Sequence, residues 1–163
     1  MLFRSGRYGH AHRGPARGIV ATSRLAARFD TLREHALDLV YLLAPPSTED
    51  RIRRIGSVAS GFVYYGSVKG VTGAGHLDVD AAGKKVAEIR GLIDLPVGVG
   101  FGIKDAESAA RVAAVADAVI VGSAIVGRIE ANSAAPERIG EAVGAFLAEL
   151  RAAIDAAHPA RVH

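Results

Sequence analysis

Short apolar runs alternate with amphipathic stretches from about Phe29 to the end of the chain. Four runs have the length of β-strands and are rich in β-branched and aromatic residues, which favour a pleated backbone. They occupy 38–44, 62–65, 95–100 and 118–122. Helix signals follow the strands: a capping-box pattern at 47–50 opening a helix over 50–59, helices over 81–93 and 106–116 with Asp105 as the N-cap of the latter, and a final helix from Pro136.

The spacing of these strands predicts βα units. The strands start near residues 39, 61, 96 and 118, which are 22, 35 and 22 residues apart. Near-continuous apolar strands are typical of a parallel sheet that is covered on both faces. An open doubly wound sheet and part of a (β/α)8 barrel both fit this α/β pattern. A complete barrel does not fit, because four units cannot close eight strands.

Basic residues are concentrated at the start of the chain. Residues 1–28 contain six arginines and no acidic residue, so 29–163 hold the remaining 14 basic residues against 17 acidic ones, a net charge of −3. The high isoelectric point therefore belongs to this leader. A disordered basic arm, a transit peptide and a stretch unrelated to the fold are the three interpretations. We expect residues 1–28 to be disordered or outside the fold, and 29–163 to form the folded domain.

Composition limits the class of protein. Half of the residues are hydrophobic, yet no apolar run approaches the roughly 18–20 residues of a membrane span. Cysteine is absent, which excludes disulfides and thiolate chemistry and favours the cytoplasm. The histidines are scattered without metal-ligand spacing, so no metal site is predicted. A nucleic-acid-binding function would rest on the leader alone.

Three loops that follow strands consist of glycine and hydroxyl residues, at 70–75, 100–103 and 122–125. Ligands bind at the carboxyl ends of parallel strands, and amides at a helix start attract anions. The loops therefore predict a phosphate cradle, although glycines that only permit tight turns are the alternative. The dinucleotide and P-loop fingerprints both fail on spacing. Asp78 and Asp80 are interpreted as solvated and Asp117 as a turn or cap residue, which leaves no convincing acid–base pair.

Four motifs taken in order, YLLAPPST, GFVYYGSVKGVTGAG, LPVGVGFGIKD and AVIVGSAIV, closely resemble the tryptophan synthase α subunit from about Phe29 to the C-terminus. The resemblance implies the C-terminal four βα units of a (β/α)8 TIM barrel, the half that binds phosphate. The family is a carbon–oxygen lyase that cleaves indole-3-glycerol phosphate to indole and glyceraldehyde 3-phosphate. Indole then passes to a β subunit, which carries the pyridoxal phosphate, so no cofactor is expected in this chain.

The resemblance also implies roles for individual residues. Phosphate-binding positions match Gly73, Gly102, Gly122 and Ser123. The substrate pocket matches Tyr64, Phe101 and Ile120, and the loop that closes over the substrate matches Thr72.

Two departures from the family pattern stand out. The catalytic glutamate and aspartate of the family belong to its first four strands, which match nothing in this chain, so no catalytic residue is assigned and the chain alone is expected to be inactive. The family usually has a bulky aliphatic residue where this chain has Gly66. A non-catalytic half-barrel that binds phosphate ligands as a homodimer is the alternative function.

Overall fold

The computed structural model describes residues 35–66 and 78–157, together with two short strands at 2–3 and 18–21. The strands are β1 (Leu2–Phe3), β2 (Gly18–Ala21), β3 (Asp38–Leu43), β4 (Val63–Tyr65), β5 (Val97–Val99) and β6 (Ala118–Val119). The helices are α1 (Glu49–Gly56), α2 (Val79–Leu92), α3 (Ala106–Val115), α4 (Ser123–Ala131) and α5 (Ile139–Ala157), the last preceded by a 3-10 turn at Pro136–Arg138. The four predicted strands are confirmed.

The strands form one sheet in the order β1-β6-β5-β4-β3-β2. Neighbours from β2 to β6 are parallel and follow chain order, whereas β1 is antiparallel to β6. A doubly wound sheet reverses its strand order at a switch point, and these strands do not. The helices also contact their neighbours, α1 with α2, α2 with α3, α3 with α5 and α4 with α5, so they form a single layer. Order and layering both favour part of a barrel.

The two faces of the sheet have different partners. On one face, alternate strand residues such as Val63, Tyr65 and Val99 pack with Ile52, Val86, Ile89, Val112 and Leu150 of the helices to form the hydrophobic core. On the other face, the strand register aligns Leu42, Tyr64, Gly98 and Ala118 in one row. Leu42 is 40% exposed. The predicted alternation, with Tyr64 on one face and Val63 and Tyr65 on the other, is confirmed.

Strands β1 and β2 fall within the basic leader, which the sequence predicted to stand outside the fold. Leu2 and Phe3 pair with Val119 and Ala118, and 18–21 pairs with 38–41 of β3. These six residues were expected to stand outside the fold, but they pair with the sheet. The physical reason is that β3 and β6 would otherwise be edge strands with unpaired backbone groups. Residues 4–17 and 22–34 lie outside the described residues.

The first helix is capped one residue later than the capping-box pattern predicts. The Thr48 hydroxyl accepts the hydrogen bond from the Arg51 amide, at 3.4 Å. Ser47 instead closes the turn after β3: its hydroxyl accepts from the Ala44 amide at 3.1 Å and its own amide donates to the Ala44 carbonyl at 2.9 Å. The buried Ser47 hydroxyl is thus already used by the turn, and capping falls to Thr48.

Asp117 does more than the predicted turn or cap. Its carboxylate accepts two hydrogen bonds from the Arg90 guanidinium, at 2.7 and 3.2 Å, and one from the Val97 amide at 3.0 Å. Asp117 is buried, whereas the Arg90 side chain is 26% exposed. The ion pair therefore ties α2 to the beginnings of β5 and β6, at the end of the sheet away from the glycine loops.

Candidate functional site

Tyr64 and Ile120 meet at the carboxyl ends of β4, β5 and β6. The Tyr64 hydroxyl donates a hydrogen bond of 2.9 Å to the Gly100 carbonyl, just beyond the end of β5. Both side chains lie over Gly100, where an added Cβ would come within 2.6 Å of the Tyr64 ring and 2.8 Å of the Ile120 Cβ. Partial burial raises the pKa of the Tyr64 hydroxyl, so the group stays a neutral donor at physiological pH. The structure thus brings together two of the three predicted pocket residues.

A second glycine extends this surface toward the centre of the sheet. An added Cβ at Gly98 would lie 2.9 Å from the Ile120 Cδ1 and 3.2 Å from the Phe62 ring. Alternate residues of a strand share a face, so Gly98 and Gly100 form a groove of bare backbone along β5 into which the larger side chains settle. This role of Gly98 was not predicted from the sequence. Its signal was a pair of glycines two residues apart inside an apolar strand, where glycine marks close approach of other groups.

Phe101, the third predicted pocket residue, contacts Tyr65 rather than Tyr64. The two rings meet edge to face, with centroids 6.3 Å apart and planes at 83°. Tyr65 belongs to the hydrophobic core beneath the helices, and Phe101 packs against that core. Burial and, second, the Glu88 carboxylate raise the pKa of the Tyr65 hydroxyl. Phe101 therefore anchors the loop after β5 to the helix side of the sheet.

The loop after β5 turns at Gly102 and then enters α3. Gly102 has φ +62°, a left-handed conformation that glycine adopts readily. The Asp105 carboxylate accepts from the Ser108 amide at 2.8 Å, and the Asp105 amide donates to the Ser108 hydroxyl at 3.2 Å, which completes a capping box. The predicted N-cap is confirmed. The chain's own carboxylate thus accepts from one of the first-turn amides at this helix start, the Ser108 amide.

The start of α4 has no such cap. Gly122 is the N-cap residue and makes no side-chain hydrogen bond to the helix. Side chains cap the three helices that follow β3, β4 and β5: Thr48 at α1, Asp78 at α2 and Asp105 at α3. The 3-10 turn before α5 also has no side-chain cap, but it follows α4 rather than a strand. Gly122 and Ser123 are exposed, directly beyond the end of β6. First-turn amides without an internal acceptor carry the partial positive charge of the helix dipole, which suits an anion.

The remaining predicted site residues, Thr72 and Gly73, lie outside the described residues. Within 35–66 and 78–157, no group of three or more histidine, aspartate or glutamate residues is placed to hold a metal ion. In the same part of the chain, no helix has the length and apolar character of a membrane span.

Comparisons with known proteins agree on one family. A sequence profile described as "Tryptophan synthase alpha chain" matches residues 24–155. The tryptophan synthase alpha chain of Thioalkalivibrio sulfidiphilus is 60% identical over 124 residues, which are 76% of this chain and 47% of that protein. The corresponding protein of Burkholderia pseudomallei is 55% identical over 130 residues, 79% of this chain and 47% of that protein. This chain spans about half the length of these relatives.

Solved structures give the same result. Tryptophan synthase subunit alpha from Legionella pneumophila superimposes with a TM-score of 0.73 at 31% identity, covering 85% of this chain and 52% of that one. A chain of tryptophan synthase from M. tuberculosis, in its aminoacrylate-bound form, superimposes with a TM-score of 0.67 at 30% identity, covering 84% of this chain and 50% of that one. The α/β fold described above therefore corresponds to part of a TIM barrel.

Proposed function

The chain belongs to the tryptophan synthase alpha chain family, and from this premise we propose that it forms the phosphate-binding half of an α-subunit barrel that acts in tryptophan biosynthesis. Its ligand is indole-3-glycerol phosphate, the substrate that a carbon–oxygen lyase of this family cleaves to indole and glyceraldehyde 3-phosphate. One observation carries the proposal: α4 begins beyond the end of β6 with a bare glycine cap, whereas the helices that follow β3, β4 and β5 are each capped by a side chain of this chain.

The geometry of the α4 start supports the proposed phosphate binding. The exposed Gly122 lets an oxyanion approach the backbone without meeting a Cβ, and nothing lies within 4 Å of the position a Cβ would take there. Ser123 adds a hydroxyl donor, and the amides of the first turn supply the dipole end. The cradle is completed by Gly73 and by Gly102, in its left-handed turn after the neighbouring strand β5.

The indole ring occupies the apolar surface beside the cradle. Tyr64 and Ile120 present carbon surface over Gly100, and the Tyr64 hydroxyl is directed to the Gly100 carbonyl. Phe101 stabilises the loop that carries Gly102, and Thr72 closes over the substrate. These side chains bind and orient the substrate and exclude water, and they contain no carboxylate.

Proton transfer is assigned to groups outside this chain. Retro-aldol cleavage needs a general acid and a general base, each worth about 10²–10⁴ in rate. The carboxylates that supply them in the family match no residue of this sequence. We therefore expect the chain alone to bind substrate without turning it over, and a β subunit with pyridoxal phosphate to use the indole once the barrel is complete.

The phosphate site can be tested by adding one carboxylate at two different positions of α4. Gly122→Asp places a carboxylate at the helix start, as Asp105 does at α3, and competes with the anion. We expect it to weaken binding of indole-3-glycerol phosphate at least about tenfold, or 1.4 kcal/mol. Gly127→Asp is the matched control, because Gly127 is an exposed glycine within the same helix and has nothing within 4 Å of a Cβ.

Binding is measured from the fluorescence of the ligand's indole ring, which is readable because the chain contains no tryptophan. Equal weakening by the two variants would show that the start of α4 is not the phosphate site. Release of indole by the chain alone would contradict the assignment of proton transfer to groups outside it.

A further inference from the structure

Gly98 lies on the same face of the sheet as Tyr64, but it is not one of the predicted pocket residues. It sits in the middle of β5, aligned with Tyr64 of β4 on one side and Ala118 of β6 on the other. A Cβ built on Gly98 would lie 2.9 Å from the Ile120 Cδ1 and 3.2 Å from the Phe62 ring. Both distances are shorter than ordinary van der Waals contact between carbon atoms.

The atoms that face Gly98 differ from those that face Gly100. At Gly100 an added methyl would meet the Ile120 Cβ at 2.8 Å and the Tyr64 ring at 2.6 Å, so the start of one side chain and a hydrogen-bonded ring would both have to move. At Gly98 the closest atom is Cδ1, the far end of the Ile120 side chain. A flexible chain end can rotate away at small cost, whereas Cβ moves only with the backbone.

We infer that Gly98 is a specificity-determining residue that acts through Ile120: the missing Cβ lets the Ile120 tip lie against β5 and so sets the depth of the pocket for the aryl ring of the substrate. This inference rests on the proposed function and extends it to a residue that is not among the predicted pocket residues. A methyl at position 98 pushes the Ile120 Cδ1 outward, into the space left for a bicyclic ring. The phosphate cradle at the start of α4 is untouched.

Two ligands that share a phosphate separate the pocket from the cradle. Indole-3-glycerol phosphate carries the bicyclic ring, and glycerol 3-phosphate lacks it. For Gly98→Ala in the full chain we expect the affinity for indole-3-glycerol phosphate to fall about tenfold, the lower end of what one methylene is worth in an apolar pocket. The affinity for glycerol 3-phosphate should change less than about twofold, or 0.4 kcal/mol.

A second substitution reverses the first. Ile120→Val removes the Cδ1 that the new methyl displaces, so the double variant Gly98→Ala/Ile120→Val should recover most of the lost affinity for the bicyclic ligand. Gly91→Ala is the matched glycine control, because a Cβ at Gly91 meets nothing within 4 Å. A loss that the double variant does not recover, or that Gly91→Ala reproduces, overturns the inference.

The Ile120 δ1 methyl resonance provides a ligand-free readout. It should shift in Gly98→Ala and stay in place in Gly91→Ala, and an unmoved resonance in Gly98→Ala overturns the inference. If the unsubstituted chain binds neither phosphate ligand, the proposed function fails and this inference with it. If it binds both, and Gly98→Ala weakens both equally, the inference alone fails.

Discussion

At the scale of single residues, Gly66, Gly98 and Gly100 have different surroundings, although all three lie near the Tyr64 and Ile120 side chains or the strands that carry them. Cβ atoms at Gly98 and Gly100 would overlap side chains, whereas a Cβ at Gly66 would lie 3.5 Å from the Tyr64 ring, an ordinary contact. Sequence reasoning identified Gly66 as unusual by its departure from the family pattern. It could not distinguish the other two, because the side chains that fill the groove come from β4 and β6.

Replacing Gly66 should stabilise the protein. The residue is half-buried beyond the end of β4, its amide donates to the Leu43 carbonyl at 3.0 Å, and it is not among the positive-φ glycines. A Cβ there makes an ordinary contact, and removing glycine restricts the unfolded chain, so Gly66→Val should add about 0.5–1 kcal/mol to the free energy of unfolding. Urea denaturation gives the value. An unchanged or lower free energy of unfolding would contradict the placement of Gly66 beside the Tyr64 ring.

The Arg90–Asp117 pair should respond unequally to truncation. Arg90→Met leaves the buried carboxylate without its counter-ion and should cost about 3–5 kcal/mol. Asp117→Ala releases an arginine that can turn to water and leaves mainly the Val97 amide unpaired, so we expect about 1–3 kcal/mol. Arg53→Met, which breaks an exposed pair with Glu49 at 3.5 Å, is the control and should cost less than about 1 kcal/mol.

Urea midpoints of the two single variants and of the Arg90→Met/Asp117→Ala double variant measure this asymmetry. The double variant should lose less than the sum of the single losses, because both substitutions remove one interaction. Additive losses would mean that the two side chains stabilise the fold independently.

At the scale of elements, the sequence predicted the strands better than the helix starts. The strand starts were predicted near 39, 61, 96 and 118 and lie at 38, 63, 97 and 118. Apolar runs bounded by glycine and proline give this signal within the chain itself. The cap of α1 was misplaced because Ser47 and Thr48 are adjacent candidates, and only the fold shows that the turn after β3 uses the serine. Capping of α3 was predictable, but its consequence for anion binding was not.

The capping box of α3 predicts a pH dependence. The Ser108 hydroxyl and, second, the Ser108 amide hold the pKa of the Asp105 carboxyl below its usual value of 3.8. A depressed pKa contributes stability that is complete above 3.8 and is lost as the pH falls through the folded-state pKa. Asp105→Asn keeps an acceptor oxygen but does not titrate, so its stability relative to the unsubstituted chain should improve as the pH falls below about 4.

Urea midpoints measured from about pH 5 downward give the comparison, since the stability from a lowered pKa is lost below the usual carboxyl value of 3.8. Asp94→Asn, at an exposed carboxylate in the loop before β5, controls for the general loss of negative charge. A difference between Asp105→Asn and the unsubstituted chain that stays constant with pH would contradict the cap.

At the scale of the whole molecule, the face of the sheet away from the helices is the unusual feature. The described helices cover one face, while Leu42 on the other is 40% exposed. In a closed barrel this inner face is filled by layers of side chains from all eight strands. The chain matches about half of each relative, and we expect the other half of the family's barrel to cover this face.

Adding that half should therefore restore both stability and chemistry. The segment of the Thioalkalivibrio sulfidiphilus relative that this chain does not match is a suitable source, since the matched parts are 60% identical. We expect indole release from indole-3-glycerol phosphate to appear only when both polypeptides are present, and Leu42→Asp to abolish it by placing a charge against the new interface. Glu137→Lys, at an exposed residue of the 3-10 turn before α5, is the charge-change control and should leave the release unchanged. If this chain instead forms a discrete dimer that a phosphate ligand stabilises and the added half does not disrupt, a second copy covers the inner face, and the protein is a binding module rather than half of a lyase.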